Sequence, residues 1–314
     1  MSCFPLKCKE EIRSLASKAG FYATGFAKAE PVEQAVADFY SRWIESGKNA
    51  NMAYLANYAE IRRDPRLLLD GAKTVIVLAM SYFHEVGEGE NPCNFALYAH
   101  GDDYHEVLRE SLNPIVQYIE KQGFAARVCV DSAPILERYW AVRSGIGFQG
   151  RNSMLIIPGA GSYFFLCEIV TTLDLPADEP CILSCGDCLA CVKHCPGGAI
   201  ENNHIDARKC HSYLTIEHRG DLPAKTSLRG IYGCDECQKC CPHNAAPPLT
   251  PLSAFHIRTA LSSLTPQSVL SLTQTHFSAI FSHSAVKRTK LAGLQRNASH
   301  LNAVLSNKRK SGLE

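Results

Sequence analysis

The sequence predicts an α/β protein made of three successive parts: an α/β domain over residues 1–175, a cysteine-rich domain over 176–250 and a helical segment over 251–314. Three observations predict this division. The first part alternates helical periodicity with short apolar runs, the second holds ten cysteines, and the third carries its charge almost entirely on lysine and arginine. A chain of 314 residues, 46% of them hydrophobic, is long enough to bury more than one core.

Helical periodicity identifies two long helices in the first part. In the first helix the repeating apolar residues are Ile12, Leu15, Ala16 and Ala19. Gly20 is placed to end this helix, because glycine readily adopts the backbone conformation of a helix terminus. In the second helix the repeating residues are Leu108, Leu112, Ile115 and Ile119. Pro114 lies inside the second helix and predicts a kink there.

Short apolar runs predict the strands. They span residues 74–80, 126–130, 153–157 and 164–171, and such runs are typical of buried strands. A third helix is expected from about residue 134 to residue 144. Helices that alternate with buried strands indicate an α/β sandwich around a central sheet.

Two cysteine runs dominate the second part. The first is Cys185-x2-Cys188-x2-Cys191-x3-Cys195-Pro196, which is the bacterial ferredoxin spacing. The second run also closes in a Cys-Pro step and consists of Cys234, Cys237 and Cys241, with Cys210 upstream. In ferredoxins the fourth cysteine of a run serves the other cluster. The two predicted 4Fe–4S clusters therefore have the ligand sets Cys185, Cys188, Cys191 and Cys241, and Cys195, Cys210, Cys234 and Cys237.

One position in the second run is ambiguous. Cys240 also stands at ligand spacing from Cys237, but Cys241 matches the Cys-Pro end of the first run. Cys240 and Cys181 are then unassigned. The alternative to two clusters is a pair of zinc sites, which use C-x2-C pairs. The double run closing in Cys-Pro favours iron–sulfur clusters in a bacterial-ferredoxin-like domain.

The cellular compartment follows from the N-terminus and the cysteine count. Lys7 precedes any apolar run, so no secretory signal is visible, and no apolar stretch is long enough to span a bilayer. We therefore expect a cytoplasmic protein that does not bind a membrane, in a compartment where thiols stay reduced. Fifteen cysteines in such a chain indicate metal or redox chemistry rather than disulfides.

Charge is distributed unevenly along the chain. The whole chain has a net charge of +1, which excludes a polycation. Residues 251–314 hold eight lysines and arginines against a single acid, Glu314, which is a net charge of +7. This asymmetry fits an acidic partner such as nucleic acid, and the alternative is a solvated basic tail.

Several segments resemble one family. The stretch from Asp131 to Ile156, DSAPILERYWAVRSGIGFQGRNSMLI, resembles the most distinctive segment of epoxyqueuosine reductases. Further segments resemble that family in the same order, and they span residues 52–80, 101–108, 210–217, 233–244 and 284–298. The resemblance covers about residues 50 to 300. It is specific because unrelated motifs follow one another in the family's order.

The resemblance implies an activity and its cofactors. Epoxyqueuosine reductases are cobalamin-dependent iron–sulfur enzymes that complete queuosine synthesis at the wobble position of tRNA. They reduce an epoxide to an alkene with loss of water, which consumes two electrons and two protons. For this chain the resemblance implies a cobalamin-binding domain over 1–175, tRNA as substrate, and an external one-electron donor of the flavodoxin or ferredoxin type. The chain resembles the short form of the family, without C-terminal helical repeats, and we expect a monomer.

The resemblance also implies roles for particular residues. Asp131 matches the family's proton donor, and acting as an acid near neutral pH would require a raised pKa, most simply from desolvation beneath the corrin. Arg62, Asn152 and Ser212 resemble corrin-pocket positions. The residues expected to contact tRNA phosphates are Lys287, Arg288 and Arg296. Tyr104 and His105 are expected either to line the pocket or to form a packed helix start.

One departure from the family, one absent motif and three alternative functions complete the predictions. Cys93 lies slightly too early to match a family cysteine, which weakens any role for a thiol near cobalt. The chain has no Asp-x-His-x-x-Gly signature, so no histidine ligand to cobalt is expected from the protein. The alternative functions are a cobalamin-dependent reductive dehalogenase, a two-cluster electron carrier, and an RNA-binding protein with structural clusters.

Overall fold

A central antiparallel sheet organises the first part of the chain. The computed structural model describes residues 3–201, 203–224 and 226–311. The strands are β1 Ala23–Lys28, β2 Thr74–Ser81, β3 Ala126–Cys129, β4 Phe148–Gln149, β5 Leu155–Ile156, β6 Phe164–Thr171, β7 Ile200–Glu201 and β8 His204–Ile205. The main sheet has the order β1-β2-β6-β3, and every neighbouring pair is antiparallel. Strands β4 and β5 form a second small sheet, and β7 and β8 form a third.

The α-helices include the three that the sequence predicts, with a later start for the third. They are α1 Cys3–Lys18, α2 Gln34–Glu45, α3 Ala59–Arg63, α4 Tyr104–Lys121, α5 Glu137–Arg143, α6 Ala190–His194, α7 His211–Ile216, α8 Glu236–Lys239, α9 Thr259–Ser262, α10 Pro266–Leu270, α11 Gln274–Ile280 and α12 Lys290–Ser311. Helices α1 and α4 confirm the two long predicted helices, and Gly20 after α1 has φ +92°. Helix α5 begins later than predicted because the backbone of Leu136, its N-cap, is not helical, with φ −89° and ψ 75°. The strand predicted at 153–157 shortens to β5 because Ser153 is left-handed, with φ +60°.

Helices cover both faces of the sheet, as the predicted sandwich requires. On one face, α1 and α4 bury Ile12 and Leu112 against β2 and β6. On the other face, α5 buries Trp140 against Val77 and Val170. Successive side chains of a strand point to opposite faces of the sheet, so the same strands contribute residues to both cores. The α/β class is confirmed.

The C-terminal helices pack on the rest of the protein rather than forming a free tail. Phe281 and Leu294 share a core with Phe95 of the first part and with Tyr232 of the cysteine-rich part. Phe95 and Tyr232 also form an isolated parallel bridge. Residues 312–314 of the predicted basic segment lie outside the described residues. Within the described residues, no helix combines the length and apolar character needed to cross a membrane.

A carboxyl group is buried in the middle of the main sheet. Glu168 on β6 is 0% exposed, and neither of its oxygens has a hydrogen-bond partner among the described protein atoms. Its neighbours across the sheet are Val77 and Cys129. Burial raises the pKa of Glu168 well above its ordinary value, and the nearby carboxyl groups of Glu137 and Asp131 raise it further.

We expect the Glu168→Gln variant to be more thermostable, increasingly so as pH rises. The folded state binds the Glu168 proton more tightly than the unfolded state does. As pH rises from the unfolded pKa to the folded pKa, Glu168 therefore lowers the free energy of unfolding. Each unit of pKa difference is worth about 1.4 kcal/mol, and each kcal/mol shifts Tm by about 2–4 °C in a domain of this size. Anaerobic thermal unfolding at pH 5 and pH 8 measures the effect, with exposed Glu10→Gln on α1 as the control. A Tm difference independent of pH would contradict it.

Candidate active site and cluster centres

Asp131 lies where β3 ends, in a strained backbone conformation. Its φ is +52°, in the left-handed region that non-glycine residues seldom occupy. Open α/β sheets place ligands at the carboxyl ends of parallel strands, but this sheet is antiparallel, so that rule does not explain the position of Asp131. The position is set instead by contacts between the end of β3 and the first turn of α4.

The first turn of α4 supplies two hydrogen bonds to one oxygen of Asp131. The Tyr104 hydroxyl donates to Asp131 Oδ2 at 2.9 Å, and His105 Nε2 lies 3.0 Å from the same oxygen. His105 Nδ1 lies 2.6 Å from Oδ1 of Asp103, the N-cap of α4. His105 therefore bridges two carboxylates. Tyr104 and His105 lie in the first turn of α4 and both contact the Asp131 carboxylate.

These contacts decide where the protons reside. Burial lowers the pKa of His105, but the hydrogen bonds and negative charges of Asp103 and Asp131 outweigh burial and raise it to about 9. The imidazole is therefore protonated near neutral pH. Burial raises the pKa of Asp131, but His105 and Tyr104 together lower it below its ordinary value. In the protein alone, the raised pKa that we expected for Asp131 is not found, because the neighbouring imidazolium stabilises the carboxylate.

A third carboxyl group supports the backbone at Asp131. Glu137 Oε1, at the start of α5, accepts a hydrogen bond from the Asp131 backbone N–H at 2.9 Å. Burial and the Asp131 charge raise the pKa of Glu137 to about 7. The Asp131 side chain is 57% exposed, although Tyr104 of α4 and Glu137 of α5 contact this residue and its charge acts on Tyr54. It therefore lies on the floor of an open concavity rather than on a protruding surface.

The rim of this concavity carries an aromatic ring and three cations. The Tyr54 ring lies 5.4 Å from the guanidinium carbon of Arg288, which pairs with Glu217 at 2.9 and 3.1 Å. Arg62 donates to the Tyr54 backbone carbonyl at 3.2 Å. Lys287 Nζ is 3.7 Å from Asp103 Oδ2. An open, half-exposed carboxylate beneath an aromatic and cationic rim fits a large polar cofactor such as cobalamin.

The structure separates two predicted residues from their expected surroundings. All the donors of Arg296 are engaged within the protein, with the carbonyls of Leu214, His218 and Gly220 and with Asn297 Oδ1, so it has none left for a phosphate. Asn152 is 1% exposed and donates to the Cys237 carbonyl at 3.1 Å, which removes it from contact with a corrin.

The first predicted ligand set converges on one cavity. Its wall includes the four thiols of Cys185, Cys188, Cys191 and Cys241, together with Arg151, Asn152 and Ile156. Cys240 does not line this cavity. A site walled by four cysteines and apolar groups suits the thiolate ligation of a cubane cluster.

The second predicted ligand set also lies together. Burial raises the pKa of Cys237, and the charges of Cys234, Cys210 and Cys195, together with that of Cys191 from the first set, raise it further. Cys210 caps α7, and Ser212 follows it in the first turn. Gly233 precedes Cys234 with φ +74°, and a Cβ there would lie 2.4 Å from Ala96 Cβ. Only glycine lets this ligand loop approach the first part of the chain so closely.

The cysteines without a predicted ligand role differ in their surroundings. Cys93 is fully buried, and its thiol donates to the Leu264 carbonyl at 3.3 Å. Burial raises the pKa of Cys93 to about 12, so it belongs to the core shared with the C-terminal helices. Cys181 precedes the cluster loop, and its backbone N–H donates to the Val142 carbonyl at 3.0 Å.

Comparison with known proteins matches both the segment that contains Asp131 and the cysteine-rich part of the chain to known families. Residues 62–132 match the family described as Epoxyqueuosine reductase QueG, DUF1730, and residues 184–244 match the 4Fe-4S double cluster binding domain. The chain is 38% identical over 302 residues to the epoxyqueuosine reductase of Leadbetterella byssophila, which covers 94% of this chain and 98% of that relative. The chain belongs to the epoxyqueuosine reductase family. The Cellulophaga algicola enzyme is 37% identical with the same coverage.

Solved epoxyqueuosine reductases share the fold. The Streptococcus thermophilus enzyme matches with a TM-score of 0.85 at 30% identity, covering 96% of this chain and 82% of that one. A crystal structure of an epoxyqueuosine reductase with an epoxyqueuosine-modified tRNA-Tyr stem loop matches with a TM-score of 0.88 at 27% identity, covering 97% and 83%.

Membership of the epoxyqueuosine reductase family settles the activity. The reductase converts epoxyqueuosine in tRNA to queuosine, and it uses cobalamin and two 4Fe–4S clusters. The predicted function, enzyme class and cofactors are confirmed. Family membership favours this activity over a dehalogenase, an electron carrier or an RNA-binding protein. The double cluster domain likewise favours iron–sulfur clusters over zinc sites.

Proposed function

We propose that Asp131 is the proton donor of this reductase and that His105 holds the proton that Asp131 delivers. The observation that carries the proposal is the Asp103–His105–Asp131 chain of hydrogen bonds, in which a protonated imidazole faces the carboxylate on the floor of the concavity. In a solved Bacillus subtilis relative, 26% identical to this chain, a catalytic aspartate loop is swung out of the active site. A catalytic aspartate on a loop agrees with the placement of Asp131.

The proton balance of the reaction gives both residues a role. Converting an epoxide to an alkene and water consumes two electrons and two protons. Cobalamin, when bound, supplies the strongly reducing centre that takes up electrons from the clusters. Because Asp131 is ionised beside the protonated His105, His105 first passes its proton to Asp131 at Oδ2, and Asp131 then protonates the leaving oxygen. Solvent, which reaches the exposed side chain of Asp131, supplies the second proton. No hydrogen bond from the described residues reaches Asp131 Oδ1, which leaves this oxygen for the substrate.

The ligand sets and the substrate surface are part of the same proposal. Cys185, Cys188, Cys191 and Cys241 bind the first cluster, and Cys195, Cys210, Cys234 and Cys237 bind the second. Arg62 and Ser212 contribute to the corrin pocket. Lys287 and Arg288 contact tRNA phosphates beside the concavity, where they orient the anticodon loop without reading its sequence. The chain acts in the cytoplasm as a monomer and receives electrons from an external one-electron donor.

Reconstitution tests the proposed function. The chain is loaded anaerobically with iron, sulfide and cobalamin, then given dithionite and tRNA bearing epoxyqueuosine. Mass spectrometry of the digested nucleosides should show queuosine when cobalamin is present and none when it is omitted. Failure of a preparation with both clusters and the corrin to form queuosine would refute the proposal.

We expect the pH dependence of the reaction to report on His105. Wild-type kcat/KM should fall above about pH 9, where His105 loses its proton. His105→Gln should lose this alkaline limb and fall by about 10²-fold, because it can no longer resupply Asp131. The exposed His276 on α11 offers a matched His276→Gln control, expected to keep the wild-type profile. If His105→Gln kept the alkaline limb unchanged, a group other than His105 would be responsible for that limb.

A further inference from the structure

The first cysteine group reaches the surface at one ligand. Of the eight cysteines assigned to clusters, Cys188 is exposed, whereas the other seven are buried or partly buried. Cys188 also lines the cavity of the first group. A cluster in that cavity therefore lies nearest to solvent at Cys188, and the second group has no such opening.

Large exposed apolar side chains flank Cys188 in the sequence of the loop. Ile182 is 94% exposed, Leu183 is 56% exposed and Leu189 is 43% exposed. The loop itself is anchored, because Arg151 donates to the Gly186 carbonyl at 2.7 Å. Isolated exposed leucines are common on proteins, but a group of them beside a functional centre marks an interaction site.

A surface recess extends this apolar group. Its walls are Arg151, Leu189, Val192, Ile200, Glu201 and Asn203. Arg151 lines both this recess and the cluster cavity, and its side chain donates to Asn203 Oδ1 at 2.8 Å. An apolar centre with a polar and charged margin is the composition of a protein–protein interface.

We propose that Ile182, Leu183 and Leu189, with Cys188 between them, form the docking surface for the electron donor, hereafter the donor patch. The partner is a small protein that carries a one-electron centre beneath an apolar surface. The inference rests on the proposed ligand set of the first cluster. Each docking event oxidises the carrier by one electron and reduces the first cluster by one, and two events supply one turnover.

Physical requirements of electron transfer favour this surface. Transfer slows steeply with distance, so electrons must enter where a cluster ligand is exposed. The contact must also be weak enough to release the oxidised carrier, and redox encounters use small interfaces. A few exposed apolar residues beside the exposed ligand Cys188 fit both requirements, whereas the proposed function assigns the basic rim of the concavity to tRNA.

The test compares two sources of electrons on the same holoenzyme. The probes are a bacterial flavodoxin and a two-cluster ferredoxin, each kept reduced by its NADPH-dependent reductase, with dithionite as the small reductant. The variants are the double change Ile182→Asp with Leu183→Asp, and Leu189→Asp. Leu6→Asp on α1 is the matched control, because Leu6 is 50% exposed outside the patch. Stopped-flow bleaching of cluster absorbance and queuosine formation are both measured.

We expect each patch variant to be reduced by the carrier about tenfold more slowly, as for the loss of an apolar contact at the centre of an interface. Dithionite-driven turnover and iron content should stay at wild-type values, and Leu6→Asp should change neither route. Wild-type carrier kinetics in the patch variants would overturn the proposal. Patch variants that lose dithionite-driven turnover at full iron content, or that change oligomeric state, would also overturn it. The proposal would fail as well if dithionite reduced the wild type and neither carrier did. Absence of queuosine from the wild type with dithionite would instead refute the proposed function.

Discussion

Asp131→Asn should abolish measurable queuosine formation, with a fall in kcat of about 10²- to 10⁴-fold. Asparagine retains an oxygen for the hydrogen bonds from Tyr104 and His105 but cannot give up a proton at the leaving oxygen. Among the described residues, the side chains that form hydrogen bonds with Asp131 are those of Tyr104, His105 and Glu137, and none is a cysteine of either predicted ligand set. Cluster content and cobalamin binding should therefore stay at wild-type levels. The measurements are single-turnover nucleoside analysis and optical spectra of the loaded protein.

A matched substitution controls for the general effect of removing a carboxylate. Asp38 lies on α2, where it accepts a hydrogen bond from the Gln34 side chain at 2.6 Å. Asp38→Asn should retain wild-type turnover. If Asp131→Asn kept more than about a tenth of wild-type kcat with both cofactors bound, another group would be the acid.

Alanine substitutions of the adjacent Cys240 and Cys241, at the end of the second run, should have opposite effects on iron content and turnover. Cys241→Ala should lower the iron content from about eight to about four atoms per chain and eliminate turnover, because electrons then lack one cluster. Cys240→Ala should retain both clusters and activity. Cys241 lines the cavity of the first group and Cys240 does not. Burial and then the charge of Cys240 raise the pKa of Cys191, so Cys240 is also near, but a nearby charge does not establish ligation.

Iron and sulfide analysis with electron paramagnetic resonance of the dithionite-reduced protein separates the two cysteines. The pair is its own control, because the substitutions are identical and the positions are neighbours. If Cys241→Ala kept its full iron content and Cys240→Ala lost iron, Cys240 rather than Cys241 would be the cluster ligand. Loss in both would show that the turn itself, rather than one thiol, shapes the site.

Local features were predictable because they depend on residues close together in sequence. The Cys-x2-Cys spacing indicates cluster loops, since a few residues of backbone determine how far apart those thiols can lie. The periodicity that predicted α1 and α4 is likewise a property of one turn of helix. The resemblance at 131–156 identified the family that the relatives confirm.

The less predictable features depend on residues far apart in the chain. His105 meets Asp131, 26 residues later, only because α4 starts beside the end of β3. Arg296 looked like a phosphate ligand by charge, yet its donors are engaged by carbonyls of residues 214–220.

The sequence by itself determined the family, the cofactors and the predicted cluster ligands. The tertiary structure decided the antiparallel strand order, the protonation of His105 and the surroundings of Asn152 and Arg296. Spacing constrains neighbours in the chain, whereas a pKa or a buried hydrogen bond depends on which distant groups the packed core brings within a few ångströms.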